Sequence, residues 1–195
     1  SVVEEFAGHA MVRSYSLVGL RADTDFLLWQ TSASLEGLQE MATGLWGTGL
    51  GRYLFQSHSY LAMTRPSQYV GQHRHIDQEG SRVQVRPVDA RYFIVYPFLK
   101  TRKWYLLPQE ERQRMMNDHF EVGHRYPSVK INTSYSFGLD DQEFVVAFET
   151  DTPSDFLDLV MELRGVEGSR YTLRDTPIFT CIRRPIAEVL DTLGG

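Results

Sequence analysis

The chain has 195 residues, 42% of them hydrophobic, enough to bury one core or two small lobes, and a formal net charge of −5. That acidic balance argues against a nucleic-acid partner, whose phosphates call for a basic surface. Apolar stretches are short and interrupted, so no membrane span is predicted, and no signal peptide is visible. The single cysteine, Cys181, excludes an intrachain disulfide and any cysteine-built zinc or iron–sulfur set, and points to a reducing, cytoplasmic setting.

In chain order, "SVVEEFAG" reads as a fragment of helix, and residues 14–20, "SYSLVGL", as a strand entering a turn. Residues 26–54, "FLLWQTSASLEGLQEMATGLWGTGLGRYL", then read as strand, helix and turn. This stretch returns as 144–172, "FVVAFETDTPSDFLDLVMELRGVEGSRYT", at a constant offset of 118. Phe26 meets Phe144, Leu38 meets Phe156, Met41 meets Leu159, Leu45 meets Leu163, and Arg52-Tyr53 meets Arg170-Tyr171. Upstream, "SYSFGL" at 134–139 echoes "SYSLVGL", with the offset drifting by one or two. Each copy thus reads strand, turn, strand, helix, with a closing strand expected at 55–63 in the first and 176–183 in the second.

Residues 64–90 carry little periodicity and read as a linker or lid. Strand 91–98, "RYFIVYPF", and a helix over 108–123 precede the second copy. Its order is therefore β-α-β-β-α-β, the ferredoxin-like pattern. In the second copy's later helix, Phe156, Leu159, Val160 and Leu163 form an amphipathic stripe. Pro153 suits its first turn and Thr152 its N-cap. The predicted organisation is an N-terminal lobe over 1–63, a linker over 64–90 and a C-terminal lobe over 91–195. The class is α+β: two tandem ferredoxin-like lobes whose antiparallel sheets can face each other as a barrel with helices outside. By symmetry the first lobe lacks its opening strand, which predicts a native product longer at the N-terminus.

The helix over 108–123 starts with Pro108 and "QEE", matching the positive end of its dipole. Met115, Met116, His119, Phe120, Gly123 and Tyr126 follow on one side, with Arg112, Arg114, Asn117 and Glu121 assigned to the other. An imidazole on the methionine side has two readings, a satisfied core histidine or a metal or haem ligand. A lone neutral imidazole in an apolar pocket is what axial ligation of haem iron requires. His73 and His75 share one face of an extended segment, but no third ligand follows at zinc-like spacing. Asp140-Asp141 reads as a β-turn after Gly138.

"VYPFLKTRKWYLLPQEERQRMMNDH", "YPSVKINTSYSFGLDDQEFVVAFET" and "RYTLRDTPIFTC" resemble the chlorite dismutase family, over about residues 91–183 and more faintly over 10–63. The resemblance implies two ferredoxin-like lobes in an α+β barrel, pentameric rings, and haem in the C-terminal lobe. It also implies that homologues begin with a strand absent here. The family divides into chlorite-degrading enzymes and peroxide-dependent coproheme decarboxylases, which turn coproheme III into haem b. In both, the axial histidine closes the "MM–H" helix, which lands on His119. The decarboxylases' reactive tyrosine lands on Tyr96 of "YPF", their propionate lysine on Lys100, and a propionate arginine on Arg170. Trp104 and Tyr105 match the family's "WY"; Trp104 is placed among the cofactor-binding residues.

The distal position, arginine in chlorite dismutases, falls on Ile131 or, by the other count, Asn132. Neither is charged. That pattern is most similar to the actinobacterial-type decarboxylases, with chlorite dismutation or non-catalytic haem transfer as alternatives. The distal histidine of that type lands on Glu79 here, leaving His73 or His75 if the linker has slipped. The expected small molecules are a porphyrin and hydrogen peroxide.

Overall fold

The computed structural model describes Phe6 and residues 10–69 and 85–194. Its elements in chain order are strands β1 (Ala10–Ser16) and β2 (Phe26–Ser32), helix α1 (Leu35–Trp46), β3 (Tyr92–Lys100), α2 (Arg102–Leu106), α3 (Gln109–His124), β4 (Lys130–Tyr135), β5 (Phe144–Thr150), α4 (Pro153–Gly165), β6 (Thr172–Arg174), β7 (Phe179–Arg183) and α5 (Ile186–Asp191). The class is α+β, as the sequence predicts, and the pairs β1–β2, β1–β7, β3–β5, β3–β6 and β4–β5 are antiparallel. Among the described residues no helix is long and apolar enough to cross a membrane.

The chain divides into two units, Ser1–Ser59 with Thr180–Gly195, and Tyr60–Phe179. The internal repeat is visible in both. β1–β2 and β4–β5 are hairpins, and their turns hold Gly19 at φ 75° and Gly138 at φ 72°. Positive φ is what glycine adopts without a Cβ penalty, which explains the shared "GL". β2 and β5 begin at the matched Phe26 and Phe144, α1 and α4 at Leu35 and Pro153, and 3₁₀ turns end at Tyr53 and Tyr171.

In the first unit, the Ser34 side chain caps α1 by accepting the Gly37 N–H. The C-terminal segment returns to this unit. β7 pairs with β1 through Tyr15↔Arg183 and Ser16↔Ile182, and Ser14 Oγ donates to the Arg184 carbonyl at 2.7 Å. Tyr15, Leu17, Met41, Cys181 and Val189 are buried here. Burial pushes the Cys181 thiol up to about 12, so it stays protonated and unreactive.

In the second unit, β5 lies between β3 and β4. One sheet face and two helices share a core of Ile94, Val122, Val129, Phe148 and Leu159, flanked by Tyr96, Tyr126, Ile131, Val146 and Phe156. α3 spans Gln109–His124 with Pro108 at the cap position, so the helix starts one residue after the expected start. Pro153 opens α4 as expected, but Thr152 makes no side-chain cap. Its N–H instead donates to Thr150 Oγ1 at 3.0 Å.

One predicted strand does not form. Residues 54–62 pair with nothing as a ladder, and Met63 makes an isolated bridge to Tyr135. Side chains of the β4–β5 turn hold this segment instead. Asp140 Oδ2 accepts the Leu61 N–H at 2.7 Å, and Ser136 Oγ donates to the Leu61 carbonyl at 2.7 Å. Alternating apolar residues signal a strand, but these hydrogen bonds satisfy the backbone by another route.

Candidate functional site

His119 lies on α3, three residues before Val122 of the core, so both occupy the inward side of the helix. It is half-buried, its ring edge-on to Phe120 at 6.1 Å between centroids. Among the described residues no hydrogen bond engages its nitrogens. Burial first, then the charge of Lys100, pushes the imidazole down to about 4. At neutral pH it is therefore uncharged, with a lone pair to give. One face assignment is corrected: Arg112 precedes His119 by seven residues, about two helical turns, and is half-buried rather than outward. Its Nη1 donates to the Tyr69 hydroxyl at 3.3 Å.

β3 carries Tyr96 and Lys100. Tyr96 stacks on Phe148 with centroids 5.7 Å apart and packs against the core cluster. Burial and the carboxylate of Asp175 raise its phenol well above the ordinary range, so it stays protonated. Lys100 ends the strand, where the register with β6 shifts between Leu99 and Lys100. Its ammonium donates to the Gly168 carbonyl at 2.8 Å and lies 4.5 Å from the Trp104 ring centroid and 5.4 Å from that of Phe98. Burial lowers it to about 8. The carbonyl and the aromatic face offset the cost of burying that charge. Gly168 is itself buried and would place a Cβ 3.7 Å from Met115, one helical turn before His119. Lys100, Trp104, Gly168 and the Met115–His119 side of α3 thus form one neighbourhood.

Strand register puts Ile131 and Asn132 on opposite faces of the sheet. Ile131 pairs with Phe148 and packs on the same core cluster as Tyr96. Asn132 points to the opposite face, where its Nδ2 donates to Glu149 Oε2 at 3.0 Å. Trp104 is buried, with Tyr171 and Tyr69 centroids at 5.6 and 6.4 Å. Arg170 is exposed in the 3₁₀ turn Glu167–Tyr171. His73, His75 and Glu79 lie outside the described residues. The sequence reading missed Glu143, Gly168 and the inward face of Arg112. Only Arg112 carried a signal, its seven-residue spacing from His119.

Residues 1–184 match the chlorite dismutase family. The chain belongs to that family. A coproheme decarboxylase from Mycolicibacterium smegmatis is 34% identical over 180 residues, 92% of this chain and 75% of the relative. A chlorite dismutase from Candidatus Nitrospira defluvii bearing an arginine-to-alanine substitution superposes with a TM-score of 0.88 at 30% identity, covering 100% of this chain and 82% of that one. A heme-binding protein from Thermus thermophilus superposes at 0.83 and 27% identity, over 99% of this chain and 81% of that one. These matches place this member of the chlorite dismutase family among haem-dependent oxidoreductases with the ferredoxin-like fold.

The residues fit that cofactor. Among the described residues no group of three His, Cys, Asp or Glu side chains could hold a bare metal ion. What the site offers is one neutral imidazole, suited to an iron whose remaining ligands a macrocycle would supply. The half-buried Lys100 ammonium near it suits a carboxylate substituent of that macrocycle.

Proposed function

We propose that this family member is a peroxide-dependent coproheme decarboxylase that makes haem b. The observation that carries the reading is an apolar Ile131 and a half-buried, protonated Tyr96 on one sheet face. Ile131 itself offers no cation to a chlorite anion, whereas a protonated phenol can yield a hydrogen atom. The similarity to a coproheme decarboxylase at 34% identity supports the same reading.

His119 would be the axial ligand, Lys100 and Arg170 the propionate contacts, and Trp104 a wall of the pocket. Bound haem iron would supply the activation of peroxide. Overall, each of the two reacting propionates loses carbon dioxide and one β-hydrogen to become a vinyl group, while one peroxide per propionate is reduced to two waters. Tyr96 would give up its phenolic hydrogen atom and recover one from the propionate β-carbon. Its burial matters because the phenol then never competes as a phenolate. Lys100 would fix the carboxylate until it leaves as carbon dioxide; the anion's charge in turn keeps the lysine protonated.

The test is to bind coproheme, add hydrogen peroxide and follow two successive decarboxylations by mass spectrometry. Tyr96→Phe should bind coproheme as wild type does and yield no product. A wild type that yields none would sink the proposal. Full activity in Tyr96→Phe would remove the tyrosine from it. The second reading, chlorite dismutation, is favoured by the superposition on chlorite dismutases, and oxygen release from chlorite would promote it. We also propose a cytoplasmic homopentamer, checked by light scattering on the eluting protein.

A further inference from the structure

We propose that Glu143 is the positioning residue that aims Lys100 into the site. β3 leaves its partner after Phe98↔Phe144, and Glu143 is the residue just before β5. The Glu143 N–H donates to the Phe98 carbonyl at 3.3 Å. Its carboxylate then does what the strand no longer can. Glu143 Oε2 accepts the backbone N–H of Lys100 at 2.8 Å, at the point where the register shifts. The same oxygen accepts the Tyr105 hydroxyl at 2.5 Å.

One carboxylate oxygen therefore holds both ends of the corner from Lys100 to Tyr105. The Thr101 N–H ties the corner at a second point by donating to the Tyr171 carbonyl at 2.8 Å. With the main chain held this way, the Lys100 ammonium reaches the Gly168 carbonyl across the Trp104 face. Hydrogen bonds to a carboxylate are the strong kind, and on the β5 side the ladder has already ended at Phe98↔Phe144 when the chain reaches Lys100. Glu143 need not touch a ligand; it acts through Lys100. That this serves a porphyrin carboxylate rests on the proposed function, whereas the positioning itself does not.

Two measurements separate those claims. The chain has three lysines, Lys100, Lys103 and Lys130, so competitive amine labelling of the ligand-free protein, read by peptide mass spectrometry, carries its own references. Glu143→Leu should raise the labelling of Lys100 relative to Lys130 by about tenfold, the equivalent of one charge-assisted hydrogen bond lost. Tyr105→Phe, which keeps the backbone contact, should raise it by about twofold to threefold, and Glu143→Gln, which keeps an acceptor, should stay near wild type. An unchanged Lys100 ratio in a folded Glu143→Leu, or in Tyr105→Phe if the leucine variant does not fold, overturns the proposal.

The second measurement is a Soret titration with an iron porphyrin bearing free propionates and with its methyl ester. Glu143→Leu should lose most of the preference for the free acid, as Lys100→Met does. If Lys100→Met leaves the preference intact while Glu143→Leu still exposes Lys100, the propionate reading falls and the positioning stands.

Discussion

Acidifying the ligand-free protein isolates His119. Burial and the Lys100 charge take its imidazole from the ordinary 6.5 to about 4. The folded value lies below the unfolded one, so between the two the unfolded chain binds more protons, and stability falls as pH falls. The full difference of about 2.5 pK units corresponds to roughly 3.4 kcal/mol, all of it lost below pH 4. From about pH 7.5 to about pH 5, where the folded imidazole is still neutral and the unfolded one mostly charged, the loss is about 2 kcal/mol.

The assay is urea unfolding of wild type and His119→Gln at both pH values. Glutamine does not titrate, and the other histidines are common to both proteins, so the difference of differences belongs to His119. Wild type should lose about 2 kcal/mol more than the variant on acidification. Lys100, at about 8 in the folded state, is mostly charged over this range and adds only a few tenths of a kcal/mol, but Lys100→Met should shrink the effect by lifting the imidazole pKa. Parallel losses, within about 0.5 kcal/mol, would mean that His119 is hydrated and refute a desolvated, neutral imidazole.

Two further outcomes test the frame around the site. Phe148, buried with Phe156 at 4.8 Å and Tyr96 at 5.7 Å, should cost about 3–5 kcal/mol when replaced by alanine, read from the urea midpoint; under about 1 kcal/mol would show that this core is not tightly packed. Gly138→Ala should cost about 1–2 kcal/mol from backbone strain alone, because φ is 72° and no atom lies within 4 Å of the added Cβ. The matched Gly19→Ala should behave alike, and a neutral result at both would remove the conformational argument for these turns.

Much of the architecture was legible in the residues because it rests on local patterns. The offset between Phe26 and Phe144, the glycines at matched turns and the apolar stripe of α4 each follow from short-range periodicity. The inward side of α3 at Met115 and His119 was legible for the same reason. The failure of the strand expected at 55–63 was not, since side chains distant in sequence, Ser136 and Asp140, claim the Leu61 backbone. Nor could one sequence choose between Ile131 and Asn132, as a one-residue slip in counting exchanges the two sheet faces. Pairing with β5 puts Ile131, not Asn132, on the face shared with Tyr96.

By itself the sequence determined the α+β class, the doubled motif and one histidine aimed inward, all consequences of spacing along the chain. Tertiary structure decided what surrounds that histidine. It brought Lys100 beside it, set Gly168 against Met115, and used Glu143, more than forty residues from Lys100, to hold the corner in place. Such contacts depend on where strands end and which chains of atoms meet there, which no local period encodes.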